Sequence, residues 1–133
     1  VSTGKQKIAS AKDVVDIVMP QLRDLKTEVF KVVFLDSNNR MIDIEDAASG
    51  TVNRAMPIVR EIIHSALQKF AVSIICAHNH PSGDPKPSKE DRDFTRELYQ
   101  AGNVMQVKIL DHLIIGDNQY HSFADSGELV TYK

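Results

Sequence analysis

Only one cysteine, Cys76, occurs in the 133 residues, so no internal disulfide is possible. That fits a reducing compartment and makes the cytoplasm the expected location. Long apolar runs are absent as well: no stretch approaches the roughly 18 residues of a membrane span, and no part of the chain is expected to enter a bilayer. Excess positive charge is also missing. Sixteen Lys and Arg stand against 18 Asp and Glu, a net charge of -2 with a pI near 6.2. Such a surface offers no large positive field for phosphates, which weighs against avid nucleic-acid binding. Lys86, Lys89, Arg92 and Arg96 do gather in one region, but Asp84, Glu90, Asp91, Asp93 and Glu97 are interleaved with them, the pattern of a solvated helix face. The opening Val1-Ser2-Thr3-Gly4-Lys5 has neither an initiating methionine nor the apolar run of a signal peptide. Residues 1–9 are therefore expected to be a flexible N-terminal segment, and the chain reads as an excised fragment. There is no internal repeat and no low-complexity segment.

What is present reads as one domain over residues 1–133. Ser10 precedes Ala11-Lys12-Asp13 as a helix cap, and Val14, Ile17 and Val18 follow at helical spacing until Pro20, near which the helix is expected to kink or end, with Leu22 and Leu25 extending its apolar side toward Lys26. Residues 28–35 are short and dense in branched and aromatic side chains, hence a buried strand. After a turn at Asp36-Ser37-Asn38-Asn39, residues 41–46 alternate apolar and acidic, the mark of a second strand with one wet face, paired antiparallel with the first. From Pro57 onward, Val59, Ile62, Ile63, Ala66, Leu67 and Phe70 form one apolar stripe, with Arg60, Glu61, His64 and Gln68 on the other side. Residues 71–77 are the next buried strand. A helix over 89–100 buries Phe94, Leu98 and Ala101 and stops at Gly102; strands over 104–110, 112–115 and 120–123 follow. This order predicts an α/β fold, a mixed sheet flanked by helices.

The strand over 71–77 delivers His78-Asn79-His80. In an extended strand, residues i and i+2 point the same way, so His78 and His80 present two imidazoles to one point while Asn79 faces away. The loop 81–87, with three prolines and a glycine, carries the chain back toward them, where Asp91 supplies a third ligand. Two imidazoles and one carboxylate are a catalytic zinc set, with a fourth position left to water. Ser88-x-x-Asp91 also reads as a capping box at a helix start, a role that needs no metal. Cys76 lies on the same strand face as His78, either as a soft fourth ligand or, more in keeping with its type, as a small buried hydrophobe.

His78-x-His80, seven residues, Ser88, two residues and Asp91 match without a gap the His-x-His-x7-Ser-x2-Asp signature of the JAMM (MPN+) metalloprotease superfamily, which the chain resembles. More narrowly, His78-Asn79-His80-Pro81-Ser82-Gly83 with Pro87-Ser88 resembles the RadC branch, historically labelled DNA repair proteins. So do Phe34-Leu35-Asp36, Ser49-Gly50-Thr51, Arg60-Glu61 and Leu110-Asp111-His112. The resemblance runs from about residue 28 to residue 127. It implies a single-domain α/β/α sandwich with a mixed, mostly antiparallel sheet, of the cytidine deaminase-like kind, and one Zn2+ per chain.

Mechanism follows from these roles. A glutamate well upstream of the histidines is the general base in JAMM enzymes, and Glu28 matches its place before the first core strand. A charge at the head of a buried strand has little reason to be there unless it opens into a cleft, although a solvated strand-end glutamate is the ordinary alternative. Glu61, on the polar side of its helix, is the rival base; the family usually has His-Pro just before Arg60-Glu61, where this chain has Ile58-Val59. Ser88 is expected to donate a hydrogen bond to the developing oxyanion. His112 is either a group that orients a ligand or a plain strand residue, the second being the commoner role.

The predicted reaction is zinc-dependent hydrolysis of an amide or isopeptide bond in a peptide or protein substrate. The alternative is a DNA repair or recombination-associated factor working through nucleic-acid or protein contacts, as the RadC label implies. Many relatives carry an additional N-terminal helix-hairpin-helix region, a DNA-binding module that these residues do not include. A third reading, a metal-free scaffold, sits poorly with retention of every signature residue.

Overall fold

The computed structural model describes residues 6–49 and 56–133, with the side chains of Ala48 and Ser49 excepted. Residues 1–5 and the Gly50-Thr51 part of the Ser49-Gly50-Thr51 landmark lie outside the described residues. Alternation of side chains builds the sheet. In β1 (Val29–Leu35), Phe30, Val32 and Phe34 point to one face, and Val33 and Leu35 to the other. β2 (Met41–Ser49) returns antiparallel along one side of β1, after a turn in which the Asp36 carboxylate accepts the amides of Asn38 and Arg40. β3 (Ser73–Asn79), buried at every residue, lies antiparallel on the other side of β1. β4 (Lys108–Ile115) runs parallel to β3, and β5 (Tyr120–Ser122) closes the order β2-β1-β3-β4-β5.

A parallel pair needs a crossover, and α3 (Lys89–Met105) supplies it. α3 and α2 (Val59–Gln68) cover the face bearing Phe30, Val32, Phe34, Ile74, Cys76 and Ile109. α1 (Ala11–Leu22) covers the opposite face against Val33, Leu35, Ile75, Ala77, Leu113 and Ile115. The result is the expected α/β/α sandwich with a mixed, mostly antiparallel sheet. Both faces of the central strands are dry, which is why β1, β3 and β4 read as near-continuous apolar runs.

Pro20 lies inside α1, which ends two residues later at Leu22, wholly buried on the α1 side of the sheet. The chain around Ile8 runs along the sheet edge. Lys7 bridges Arg40 there, the Ile8 amide donates to Asn39, and Ile8 is buried. Local expectations for α2 and α3 are corrected. The stripe of α2 stops short of Leu67 and Phe70, which are 44% and 87% exposed, because the chain turns at Phe70 with φ +56°. Gly102 does not terminate α3 but lies inside it. A Cβ there would sit 2.3 Å from the Val107 carbonyl oxygen, so only glycine lets the helix approach the start of β4 this closely. The terminator is Gln106, at φ +60°, whose amide donates to Gly102.

Candidate metal centre

The candidate site forms where β3 ends, α3 begins and β1 starts. Register places Phe30 beside His78, so the head of β1 lies against the tail of β3. The loop after His80 is held down on the turn between β4 and β5: Asp117 donates its amide to the Gly83 carbonyl, and a Cβ at Gly116 would fall 2.4 Å from that same oxygen. The loop carries the Asp84 carbonyl to 2.9 Å from Nδ1 of His80. A carbonyl only accepts, so Nδ1 of His80 bears the proton and Nε2 is the nitrogen turned inward.

Asp91 stands between the two rings. Its Oδ1 is 3.2 Å from Nε2 of His78 and its Oδ2 is 3.1 Å from Nε2 of His80. Ser88 is exposed and caps α3: its Oγ accepts the Asp91 amide at 3.1 Å, while Asp91 Oδ2 accepts the Ser88 amide at 2.8 Å. The capping box of Ser88-x-x-Asp91 is therefore formed, and the carboxylate that completes it also faces the two imidazoles. Burial by itself raises the pKa of Asp91, yet the two imidazoles and the Ser88 amide overcome it and hold the carboxyl well below its ordinary range. The same contact with Asp91 raises the pKa of His80, against the effect of its partial burial.

Nε2 of His78 is wholly buried and is the one buried side-chain polar atom among the described residues without a hydrogen-bond partner. The 3.2 Å approach to Asp91 lies off hydrogen-bond geometry, so this buried nitrogen stands beside a carboxylate without a hydrogen bond to it. Such an arrangement is unfavourable unless a cation lies between them. Two ligands held at roughly 2.0–2.1 Å from one tetrahedral ion stand about 3.3 Å apart. The two separations observed, 3.1 and 3.2 Å, are close to that edge, so the donor set fits a small divalent ion such as zinc. Glu28 joins from the head of β1: half-buried, it brings a carboxylate oxygen to the ring nitrogens of His78 and His80, all within 4.8 Å of one another.

Asn79, the residue between the two histidines, explains how Glu28 is held. Turned away from the imidazoles as the strand period predicts, and 1% exposed, it clamps the backbone on both sides of Glu28. Its Oδ1 accepts the Val29 amide at 2.7 Å, and its Nδ2 donates to the Thr27 carbonyl at 3.0 Å.

His112 is a correction. Rather than a plain strand residue, it is buried against His78, with Nε2 2.8 Å from Nδ1 of His78. Its own Nδ1 is 2.5 Å from Oγ1 of Thr95, which in turn lies 2.6 Å from the main-chain oxygen of Asp91. Phe30 stacks on His78 and Phe123 on His112, each pair with ring planes 12° apart. Burial pushes the pKa of His112 well down, and the neighbouring His78 adds to this, so the ring is neutral. Its neighbour Asp111, raised by burial, is satisfied by Ser122, Ala124 and the His112 amide.

The remaining candidates lie elsewhere. Cys76 is a core residue between β1 and β4, its thiol pKa pushed up by burial. His64 is exposed. Glu61, also exposed, lines a cavity of about 110 Å³ with Glu45, Asp46 and Ser65, and the carboxylates grouped with the histidines are those of Glu28 and Asp91. The basic residues along α3 are paired: Lys89 and Arg96 with Asp93, and Arg92 with Glu128. No helix among the described residues is long and apolar enough to cross a membrane.

Comparison with known proteins agrees with this geometry. The profile of the family described as RadC-like JAB domain matches residues 8–128. A UPF0758 protein from Caldanaerobacter subterraneus subsp. tengcongensis is 43% identical over 120 residues, covering 90% of this chain and 52% of that protein. Another, from Methanosarcina mazei, is 42% identical over 127 residues, 96% of this chain and 56% of the relative. A third, from Symbiobacterium thermophilum, is 40% identical over 122 residues, 92% and 52% respectively. The chain thus spans about half the length of the curated relatives it matches. With its sheet order, its signature residues gathered at the end of β3 and this match over most of its length, the chain belongs to the RadC-like JAB domain family, within the JAMM/MPN superfamily.

Proposed function

We propose that this domain is a zinc-dependent hydrolase of the JAMM type that cleaves an amide or isopeptide bond in a peptide or protein substrate with water. The observation that carries the proposal is the unpartnered Nε2 of His78, buried beside Asp91 and next to the inward-turned Nε2 of His80. In this reading His78, His80 and Asp91 hold one zinc ion. Zinc, when bound, supplies Lewis acidity that polarises a substrate carbonyl and acidifies a water molecule.

The chain's own residues do the rest. Glu28, held at the mouth of the site by Asn79, takes a proton from the attacking water and returns it to the leaving amine. The Ser88 Oγ already accepts the Asp91 amide, which leaves its hydrogen to donate to the carbonyl oxygen as charge develops there. The N-terminus of α3 adds a favourable partial positive charge at the same place. Phe30, buried against the back of His78, keeps water off that side of the ring. A cytoplasmic location belongs to the same proposal, because a lone buried thiol suits a reducing compartment.

Metal analysis of the purified protein tests this reading directly. One zinc per chain is expected, with little in His78→Ala and Asp91→Ala; equal content in all three would remove the site. Hydrolysis of a panel of peptides and isopeptide-linked conjugates, lost with the metal and regained with it, is the companion measurement.

A further inference from the structure

We infer that Thr95 and His112 are positioning residues that lock His78 in the one tautomer able to bind a metal, an inference that rests on the zinc reading above. A metal takes the lone pair of a ring nitrogen, and in His78 the nitrogen facing Asp91 is Nε2. The ring proton of neutral His78 must therefore sit on Nδ1. That N–H meets Nε2 of His112 at 2.8 Å, so Nε2 of His112 must be bare to accept it. Neutral His112 then carries its proton on Nδ1 and donates to Oγ1 of Thr95 at 2.5 Å. Having accepted there, the Thr95 hydroxyl turns its own hydrogen to the Asp91 carbonyl at 2.6 Å, an atom that can only accept.

The direction of every bond is set by its two ends. The relay starts at the metal face of His78 and ends on the main chain of Asp91, itself in the site, so two ligands are tied together by a path that bypasses the ion. His78, Thr95 and His112 are each 1% exposed or less, so bulk solvent has no direct access to the relay. The stacked Phe30 and Phe123 hold the two imidazoles in the planes the relay requires. Run the other way, the same contacts would place a proton on Nε2 of His78, pointing at Asp91 and blocking coordination. A hydroxyl with an acceptor of its own is what favours the open direction, and that assigns Thr95 the deciding role.

The test uses Thr95→Val, which keeps the side-chain shape and removes the hydroxyl, and Thr95→Ser, which restores it. Protein labelled with 15N-histidine reports the tautomers through long-range correlation of ring nitrogens with ring protons, and competition with a chromophoric chelator reports zinc affinity. Zinc-loaded parent should show Nδ1–H on both His78 and His112. Thr95→Val should shift the His112 nitrogens away from that pattern and weaken zinc binding about 10- to 100-fold, the usual loss when a partner orienting a metal ligand is removed; Thr95→Ser should return both. Parental affinity and unchanged ring nitrogens in Thr95→Val would overturn the relay, as would Nε2–H on His112 in the zinc-loaded parent. If Thr95→Val fails to fold, His112→Gln and His112→Leu replace it. The glutamine carbonyl can accept the His78 Nδ1–H and should keep most of the zinc affinity that the leucine loses; equal affinity in the two refutes the relay. A parent that takes up no zinc would instead remove the enzyme reading, so the two failures are distinguishable.

Discussion

Replacing Asn79 with alanine removes a side chain that touches no proposed ligand, yet it is expected to disable the site. The amide makes two hydrogen bonds, at 2.7 Å to the Val29 amide and 3.0 Å to the Thr27 carbonyl. Each contributes a net of about 0.5–1.5 kcal/mol, so the pair amounts to roughly 1–3 kcal/mol, or about a 5- to 150-fold shift in the folding equilibrium. Urea denaturation of metal-free protein measures it as a lower midpoint at unchanged slope. The functional signature is separate. His78, His80 and Asp91 are untouched, so zinc stoichiometry should stay at that of the parent. Freed from the clamp, Glu28 moves from its place beside the imidazoles, and a displacement of about 1 Å is enough to cost roughly 100-fold in rate. Steady-state kinetics of the zinc-loaded variant should show this in kcat with little change in KM. Asn79→Asp should do no better, since it keeps the acceptor for Val29 but sets a buried carboxylate against the Thr27 carbonyl. Parental stability in Asn79→Ala would refute the clamp. Lowered stability with a parental rate per zinc-loaded molecule would refute the idea that the clamp positions Glu28.

Further outcomes follow from the same geometry. Glu28→Gln should retain zinc and lose at least about 100-fold in kcat, because it removes a proton acceptor without touching a proposed ligand; parental turnover would exclude Glu28 as the base. The raised pKa of His80 means that its contact with Asp91 stabilises the metal-free protein fully below the ordinary histidine value of 6.5, and that this contribution is lost as pH rises through the raised value. Thermal midpoints of metal-free protein should therefore fall across that window. Zinc affinity should climb across it, by up to about tenfold per pH unit for each proton displaced, and a flat affinity profile would count against His80 as a ligand. Gly102→Ala should destabilise the protein in urea despite the helix propensity it adds, because its Cβ would meet the Val107 carbonyl at 2.3 Å and the Ile109 side chain at 3.1 Å. A variant as stable as the parent would show that the junction between α3 and β4 gives way easily.

The parts of the site legible in the sequence are those fixed by local spacing. The strand period puts His78 and His80 on one side and Asn79 on the other, and the capping pattern puts Asp91 at the third position of α3. His112 was not legible because of a single bulge. Ile74 pairs with Ile109 but Ile75 pairs with Asp111, so Leu110 is an extra residue in β4. Strict alternation from Ile109 would turn His112 toward α1; the bulge reverses the count and turns it toward His78. Thr95 left a weak trace, since it lies four residues after Asp91 on the same side of a helix, but nothing local tells a buried threonine from one that holds an imidazole. The partners of Asn79 are 50 and 52 residues away in the chain, beyond any spacing rule. Gly102 failed in the opposite sense: its local chemistry says terminator, whereas its reason for being glycine is a strand that arrives only after the helix has ended.

Asp91 answers to two structures at once, because the oxygen turned to His80 is the one that accepts the Ser88 amide and completes the first turn of α3. Fraying of that turn and opening of the site are consequently the same event. Ligand binding must then slow amide exchange at the start of this helix, well inside the chain, while leaving the far end near Gln106 to breathe at its own rate. In the zinc reading, sensitivity to chelators becomes a property of a helix end, governed by how often two backbone amides let go of one carboxylate and one hydroxyl.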